Sequence, residues 1–415
     1  MKTRKPTYVV RPPTAVLTRG FDPALSVGSA RPAVFRSSTY VFSSPESAER
    51  AFAVALGQAQ PEEGENIELI YARLSHPNAE ILEDQVVPLE PSAGAAAVFN
   101  SGMAAISTLF LTFCPQGSRF LYTTPLYGGT YHLIHHILQP LGFRGIPVRA
   151  GDTAGMRAAI RAASGLKLIF IETPANPVLT MTDIAAASEE AKQHPDAPLV
   201  AVDNTFLGPA FQHPLLHGAD LVVYSATKYL SGFSDLLGGV VLAREHYLVA
   251  HLHGVRAILG NILQPDECWM LNGRLPTVAL RMNKQSKSAE RIAETLAAHD
   301  RIAAVHYPAQ FVDPDQVRIR DAQCPFPGAM VALELKGGKR AAFDFLRRLR
   351  IARNAVSLGG VETLVCHPAT TTHSELSPED RQAFGITDAL VRISVGIEDW
   401  RDLLHDFHQA LDEVP

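Results

Sequence analysis

The densest chemistry in the sequence sits on one short turn, where the apolar run LVVY is followed directly by Ser225, Ala226, Thr227 and Lys228. An amine buried at a strand end has its pKa depressed by desolvation and condenses with an aldehyde to an imine, and two neighbouring hydroxyls suit a phosphate. A lone lysine after a strand is ordinarily a surface residue, so the reading depends on its companions. The run PLVAVD ends in Asp203, 25 residues upstream of Lys228, followed by Asn204 and Thr205. Alone, that carboxylate would cap the next turn. Beside Lys228 it supplies the acid partner that the ring nitrogen of pyridoxal 5′-phosphate needs to act as an electron sink. The separation accommodates one crossover and a neighbouring parallel strand. Further upstream, VFNSGMAAISTLF joins an apolar run to a helix through Asn100 and Ser101, which would present the amides of Gly102 and Met103 to an anion. Tyr127, in PLYGGTY, precedes a glycine turn where its ring would stack on a planar cofactor.

These residues need a scaffold that gathers strand ends. From about residue 95, short β-branched or aromatic runs alternate with helical runs: FLYTT then GGTYHLIHHIL, LKLIFIET then DIAAASEEAKQH, PLVAVDN then HPLLHGA, and LVVYS then GGVVLA. This is the pattern of βαβ units around a mostly parallel sheet covered on both faces, with ligands in the crevice beyond the carboxyl ends of the strands. After about 275 a long helical run, RMNKQSKSAERIAETLAAHD, precedes separated strands GAMVALELKG and LVRISVG, the pattern of a smaller α+β domain. We therefore expect an arm over 1–75 that packs on something other than its own domain, an α/β cofactor domain over 76–275 and an α+β domain over 276–415, with AQPEEGENIE as a loop within the arm.

Composition narrows the function classes. A chain of 415 residues with 47% apolar content buries a full core. The net charge of -5 provides no basic stripe for a nucleic acid. Four widely spaced cysteines, with no CxxC pair, offer neither a disulfide framework nor a structural zinc site. His132, His135 and His136 put imidazoles on one helical face, but no carboxylate or thiolate accompanies them, so no metal is expected. The opening MKTRKPTYVVRPPT lacks the apolar stretch of an export signal and no apolar run is long enough to span a bilayer, so a cytoplasmic protein without membrane partners is expected.

Eight motifs, YARLSHPN, NSGMAAI, LYGGTY, IETPANP, VDNTF, YSATKYLSGFSDLLGG, SLGGVETLVCHPATTTH and VRISVGIED, occur in this order over nearly the whole chain. Together they resemble the Cys/Met-metabolism family of pyridoxal-phosphate enzymes, which includes cystathionine γ-synthases and γ-lyases, methionine γ-lyases and O-acylhomoserine sulfhydrylases. The resemblance implies the type I pyridoxal-phosphate transferase fold shared with aspartate aminotransferase. It implies Lys228 as the Schiff-base lysine and proton shuttle, Asp203 on the pyridinium nitrogen, Tyr127 on the ring face and Asn176 on the ring hydroxyl. Gly102, Met103, Ser225 and Thr227 would hold the phosphate from within the subunit, while Tyr71 and Arg73 would reach it from a neighbouring subunit. Ser357 and Arg392 resemble the clamp for the substrate carboxylate, with Thr372 steadying the arginine. Homo-oligomers are implied, with an active dimer as the minimum and a dimer of such dimers as the family's usual form.

The reaction implied is γ-elimination from a C4-substituted L-amino acid, giving 2-oxobutanoate, ammonia and the leaving group; γ-replacement by a thiol uses the same constellation. Val356 stands where cystathionine-handling members commonly carry Glu, which favours a methionine γ-lyase-like substrate. Gly129 stands where many methionine γ-lyases carry Cys, and His76 and Asn78 replace the usual Asn and Thr. A leaving group without sulfur therefore stays open, as does a catalytically silent member of the fold.

Overall fold

The computed structural model describes residues 10–62 and 64–413. Residues 1–9 of the basic opening segment, Glu63 of the AQPEEGENIE loop and the last two residues of the C-terminal region lie outside the described residues.

The large sheet is built from β1 (Ala95–Phe99), β2 (Arg119–Thr124), β3 (Arg144–Arg149), β4 (Leu166–Glu172), β5 (Leu199–Asp203), β6 (Leu221–Ser225) and β7 (Gly239–Ala243), in the order β1-β7-β6-β5-β4-β2-β3. Neighbours from β6 through β5, β4 and β2 to β3 run parallel; β7 alone is antiparallel to both strands that flank it. Alternating side chains feed two separate cores, as the period of a strand requires. Leu121, Ile169, Ile171, Val200 and Val202 enter one. Phe120, Tyr122, Leu168, Phe170 and Ala201 enter the other. The sheet is thus apolar on both faces, which leaves the strand ends as the place for polar residues. The run GGVVLA, paired in the sequence with LVVYS as its helical partner, is strand β7 instead. Val240 and Val241 favour a pleated, fully buried strand over a helix.

A second sheet comprises β8 (Ile302–His306), β9 (Met330–Leu335), β10 (Arg353–Asn354), β11 (Leu364–Cys366) and β12 (Leu390–Ser394), ordered β10-β11-β12-β9-β8. The expected strands GAMVALELKG and LVRISVG become β9 and β12, paired antiparallel. Helices Val278–Ala297, Gly338–Arg348 and Trp400–Asp412 supply Ile292, Phe345 and Phe407 to a core that also takes Val391 and Ile393 of β12. By alternation Arg392, between those two, faces the opposite way, toward the large sheet. A large, mostly parallel sheet and a smaller second sheet, as the sequence pattern leads one to expect, are therefore present.

Part of the arm rests on the chain's own helix Pro265–Arg274. The Arg31 guanidinium lies 4.0 Å over the Trp269 ring, Trp269 Nε1 donates to the Pro32 carbonyl (2.9 Å), and Arg36 makes two bonds to Asp266 (2.9 and 2.8 Å). Asn78 fixes the same stretch, accepting from the Phe35 amide and donating to the Ala33 carbonyl, each at 2.8 Å. Among the described residues no helix is long and apolar enough to cross a membrane.

Behind β1, Glu83 accepts from the Val98 amide (2.9 Å) and from Arg256, which is fully buried, and lies 3.1 Å from His253. Burial alone would raise the Glu83 pKa, but His253 and Arg256 outweigh it and hold the carboxyl at about 2. Its stabilisation is therefore complete above the ordinary carboxylate range and is lost as pH falls toward 2. Arg256→Met should lower unfolding free energy by about 3–5 kcal/mol, because it strands a buried carboxylate. Denaturant titration at neutral pH and again near pH 4 checks this: the deficit of the variant should shrink at the lower pH.

Candidate active site

Three neighbouring parallel strands end in polar residues: β4 in Glu172, β5 in Asp203 and β6 in Ser225. Beyond them opens a cavity of about 700 Å³ whose walls include Gly102, Met103, Tyr127, Asn176, Asp203, Ser225, Thr227, Lys228, Thr372 and Arg392. Ten of the thirteen residues expected from the sequence to hold cofactor or substrate thus meet in one place, and Tyr71, Arg73 and Ser357 are not in its lining.

Lys228 follows β6 on a turn in which its amide donates to the Ser225 carbonyl (3.0 Å). Its amine donates to Ser357 Oγ (3.0 Å), a residue from the segment between β10 and β11. Burial, with the Arg392 charge as a smaller cause, lowers the Lys228 pKa to about 8. Ser357 also meets the second cation, since its carbonyl accepts from Arg392 at 3.3 Å. The amine and the guanidinium are thereby set on either side of one serine.

At the end of β1, Ser101 caps the helix Gly102–Phe113 by accepting from the Ala104 amide at 3.0 Å. The amides of Gly102 and Met103, in the first turn, have no intrahelical acceptor and point out of the helix end. Gly102 lies so close to the β6 turn that a Cβ there would come within 2.9 Å of the Ser225 Cβ and Oγ. The glycine is what lets the amides and the two hydroxyl residues face a common space. Thr227 is fixed within its turn, its Oγ1 accepting from the Gly238 amide at 3.0 Å.

Asp203 accepts from the Thr205 amide (3.0 Å), and burial raises its pKa. Its neighbour in register is Glu172, a residue the sequence reading did not single out although it lies inside IETPANP. Glu172 is buried and accepts from the Tyr127 amide (2.9 Å) and from the Asn176 amide (3.0 Å). Desolvation, and then the Asp203 charge, push it up to about 8. A strand-end carboxylate one position before a turn resembles a cap, which is why nothing in the sequence marked it. Asn176 Oδ1 in turn accepts from Arg392 at 2.9 Å. The Tyr127 ring, 43% exposed, stands at the open side of the cavity.

Thr372 departs from its expected place. Its hydroxyl bonds His373 Nδ1 at 2.9 Å, not the Arg392 guanidinium. His373 Nε2 bonds the Asn176 carbonyl (3.1 Å), so it carries the proton and Thr372 donates to the other nitrogen. Burial, then the Arg392 charge, lower this imidazole to about 4 and keep it neutral. Thr372 therefore reaches Arg392 only through His373 and Asn176. Tyr71 and Arg73 lie elsewhere, on a second cavity shared with Arg36 and His76, where Arg73 donates to the Ala257 carbonyl. His76 caps the helix Pro77–Val86 through Nδ1 (3.2 Å) and bonds the Leu263 carbonyl through Nε2 (2.9 Å), so it and Asn78 are committed to structural bonds.

His132 pairs with Glu375 (2.9 Å) and His135 with the Tyr122 hydroxyl (3.0 Å), different partners in different directions. A Cβ on Gly129 would lie 2.6 Å from the Tyr127 ring and 3.2 Å from Met103 Sδ. All four cysteines are buried and free; burial pushes Cys114 and Cys324 up to about 12.

Among protein families, the one described as Cys/Met metabolism PLP-dependent enzyme matches residues 13–412. The chain belongs to this family. It is 38% identical over 399 residues to an L-methionine γ-lyase of Pseudomonas deceptionensis, covering 96% of each chain. It is 38% identical over 355 residues to a cystathionine γ-lyase of Bacillus subtilis, covering 86% of this chain and 92% of that one. The solved cystathionine γ-synthase of Xanthomonas oryzae pv. oryzae in complex with cystathionine superposes with a TM-score of 0.88 at 32% identity, covering 98% of both. The chain is thus a pyridoxal-phosphate-dependent enzyme. The cavity fits that cofactor: it offers a buried amine for the aldehyde, a buried carboxylate for the ring nitrogen, and a cradle of amides and hydroxyls that a single Cβ at position 102 would fill.

Gly102→Ala should force the helix start and the Ser225 turn apart and cost about 1–3 kcal/mol, the usual penalty of overpacking a rigid site. A lowered thermal midpoint, with secondary structure by circular dichroism unchanged, is the expected result.

Proposed function

We propose that this chain is a γ-lyase acting on a C4-substituted L-amino acid, with L-methionine the first substrate to test. The observation that carries the reading is that Lys228, Asn176, Asp203 and Arg392 line one cavity, the Lys228 amine bonding Ser357 while Arg392 bonds both Ser357 and Asn176. An amine able to exchange protons thus stands beside a cation that suits an amino-acid carboxylate.

Pyridoxal 5′-phosphate, when bound, supplies an electron sink for carbanion chemistry at the substrate. Lys228 would hold the cofactor aldehyde and move protons at the substrate Cα and Cβ. Asp203 would keep the ring nitrogen protonated, Asn176 would serve the ring hydroxyl and Tyr127 the ring face. The Gly102 and Met103 amides with Ser225 and Thr227 would bind the phosphate, a task for helix-end amides. Arg392, pre-oriented by Asn176 and the carbonyl of Ser357, orients the substrate through its carboxylate. Arg392 is the one guanidinium among the described lining residues of the cavity. That supports Tyr71 and Arg73 of a second copy as the remaining phosphate ligands, hence an active dimer.

The apolar side chains of the cavity support a thioether. Val356, 57% exposed, Leu358, Ile106 and Met103 line the cavity, and the side chain of Val356 offers no carboxylate to a distal amino group. The 38% identity to an L-methionine γ-lyase points the same way. The second reading, γ-replacement on an O-acylhomoserine, is supported by the likeness to a cystathionine γ-synthase.

Incubation with L-methionine and with an O-acylhomoserine, each with and without added thiol, separates these readings. Release of 2-oxobutanoate and ammonia without thiol is expected; product that forms only with thiol overturns the lyase reading. Lys228→Ala should reduce turnover by at least ~1000-fold, since the residue serves as both attachment point and proton carrier. With its pKa at about 8, roughly a tenth of the amine is neutral at pH 7. Reconstitution of cofactor-free protein should therefore quicken as pH rises to about 8 and then level off, as followed by the visible absorbance of the bound cofactor.

A further inference from the structure

We infer that Glu172 is a positioning residue that ties the ring-stacking loop and the carboxylate clamp of this cavity into one unit. This rests on the roles just proposed for Tyr127, Asn176 and Arg392. Glu172 belongs to β4, yet its two oxygens serve two different loops: Oε2 accepts from the Tyr127 amide and Oε1 from the Asn176 amide. Asn176 passes the constraint on, because its Oδ1 holds Arg392 Nη1 and its carbonyl holds the His373 ring. A continuous chain of bonds therefore runs from the backbone under the Tyr127 ring, through one carboxylate, to the guanidinium.

The chemistry of the side chain is specific. A carboxyl group keeps an acceptor on each arm, since even its hydroxyl oxygen retains a lone pair; an amide of the same shape presents one acceptor and one donor. Glu172→Gln would set an N–H against one of the two amides and leave it unpaired in a buried site. The groups that face Glu172 are Asp203 from β5, Arg392 from β12 and, beyond Asn176, the neutral His373. Two acidic side chains therefore share the space that would face the cofactor ring, and after burial the Asp203 charge is what pushes the Glu172 carboxyl up to about 8.

The test uses the full chain, prepared without cofactor and then titrated with pyridoxal 5′-phosphate. Glu172→Gln should weaken cofactor binding about tenfold. It should also weaken binding of L-norleucine, an unreactive amino acid, to the loaded protein. Thr173→Val is the control: it removes a buried bond of the same loop, in which Thr173 Oγ1 accepts from the Thr182 amide at 3.0 Å, and should lower stability while leaving cofactor and L-norleucine binding in place. Glu172→Asp keeps both acceptors on a shorter stem, so it should lose affinity for cofactor and L-norleucine together, and it decides the matter if the Gln variant does not fold. Parent-like affinity for cofactor and L-norleucine in Glu172→Gln, or the same losses in Thr173→Val, would overturn the inference. If the parent binds cofactor with a normal band but releases no 2-oxo acid from any candidate, the γ-lyase reading fails separately.

Discussion

Arg392 carries a full charge into the space between two sheets, and the rest of the molecule is arranged to make that tolerable. Burying a guanidinium costs several kcal/mol unless its donors are taken up. Here they are met by Asn176 from the large sheet's β4 loop and by the carbonyls of Val356 and Ser357 from the loop between β10 and β11. The guanidinium thereby ties the β4 loop of the large sheet to the loop between β10 and β11 of the small one. Behind it, Val391 and Ile393 on either side along β12 lock into a core of helices.

The same economy governs the floor of the cavity. Parallel strands that are apolar on both faces have nowhere to place polar groups but their ends, and β4, β5 and β6 end side by side. Three adjacent ends deliver two acids and a hydroxyl to one line, and the turn after β6 brings Lys228 back over them. Burial then does the chemical tuning. The lysine is driven down to about 8 and the Asp203 carboxyl upward, so the amine and the acid sit nearer to each other in proton affinity than either would in water.

What could be read from the sequence followed from period and from turn chemistry. Lys228 and Asp203 were legible because each closes a β-branched run, and the helix start at Ser101 because a cap residue precedes an apolar helix. The positions of Asn176, Arg392 and Ser357 were legible only through the family motifs, since nothing local in IETPANP or VRISVG says which side chain faces a ligand. The misses have physical reasons. GGVVLA has only two β-branched residues to mark it as a strand, too few to outweigh its place as the crossover partner of LVVYS until its neighbours on both sides are known. Glu172 acts through backbone amides of distant loops, and such a role has no sequence spacing. Thr372 lies next to the arginine's support, but a one-residue neighbour, His373, takes its hydroxyl. His76 and Asn78, which suggested an altered leaving-group wall, are consumed by a helix cap and by the arm.

Gly129 carries a consequence for reagents that attack sulfur. The Tyr127 ring and Met103 occupy the room where a side chain at 129 would stand, so the cavity wall at that point has no nucleophile of its own. The four cysteines of the chain are sealed in the interior, and burial keeps Cys114, Cys268 and Cys324 protonated. A catalyst built this way keeps its working surface free of alkylatable or oxidisable thiol, so peroxides that disable cysteine-bearing active sites find a methionine thioether there, and electrophiles meet nitrogen nucleophiles such as the Lys228 amine instead.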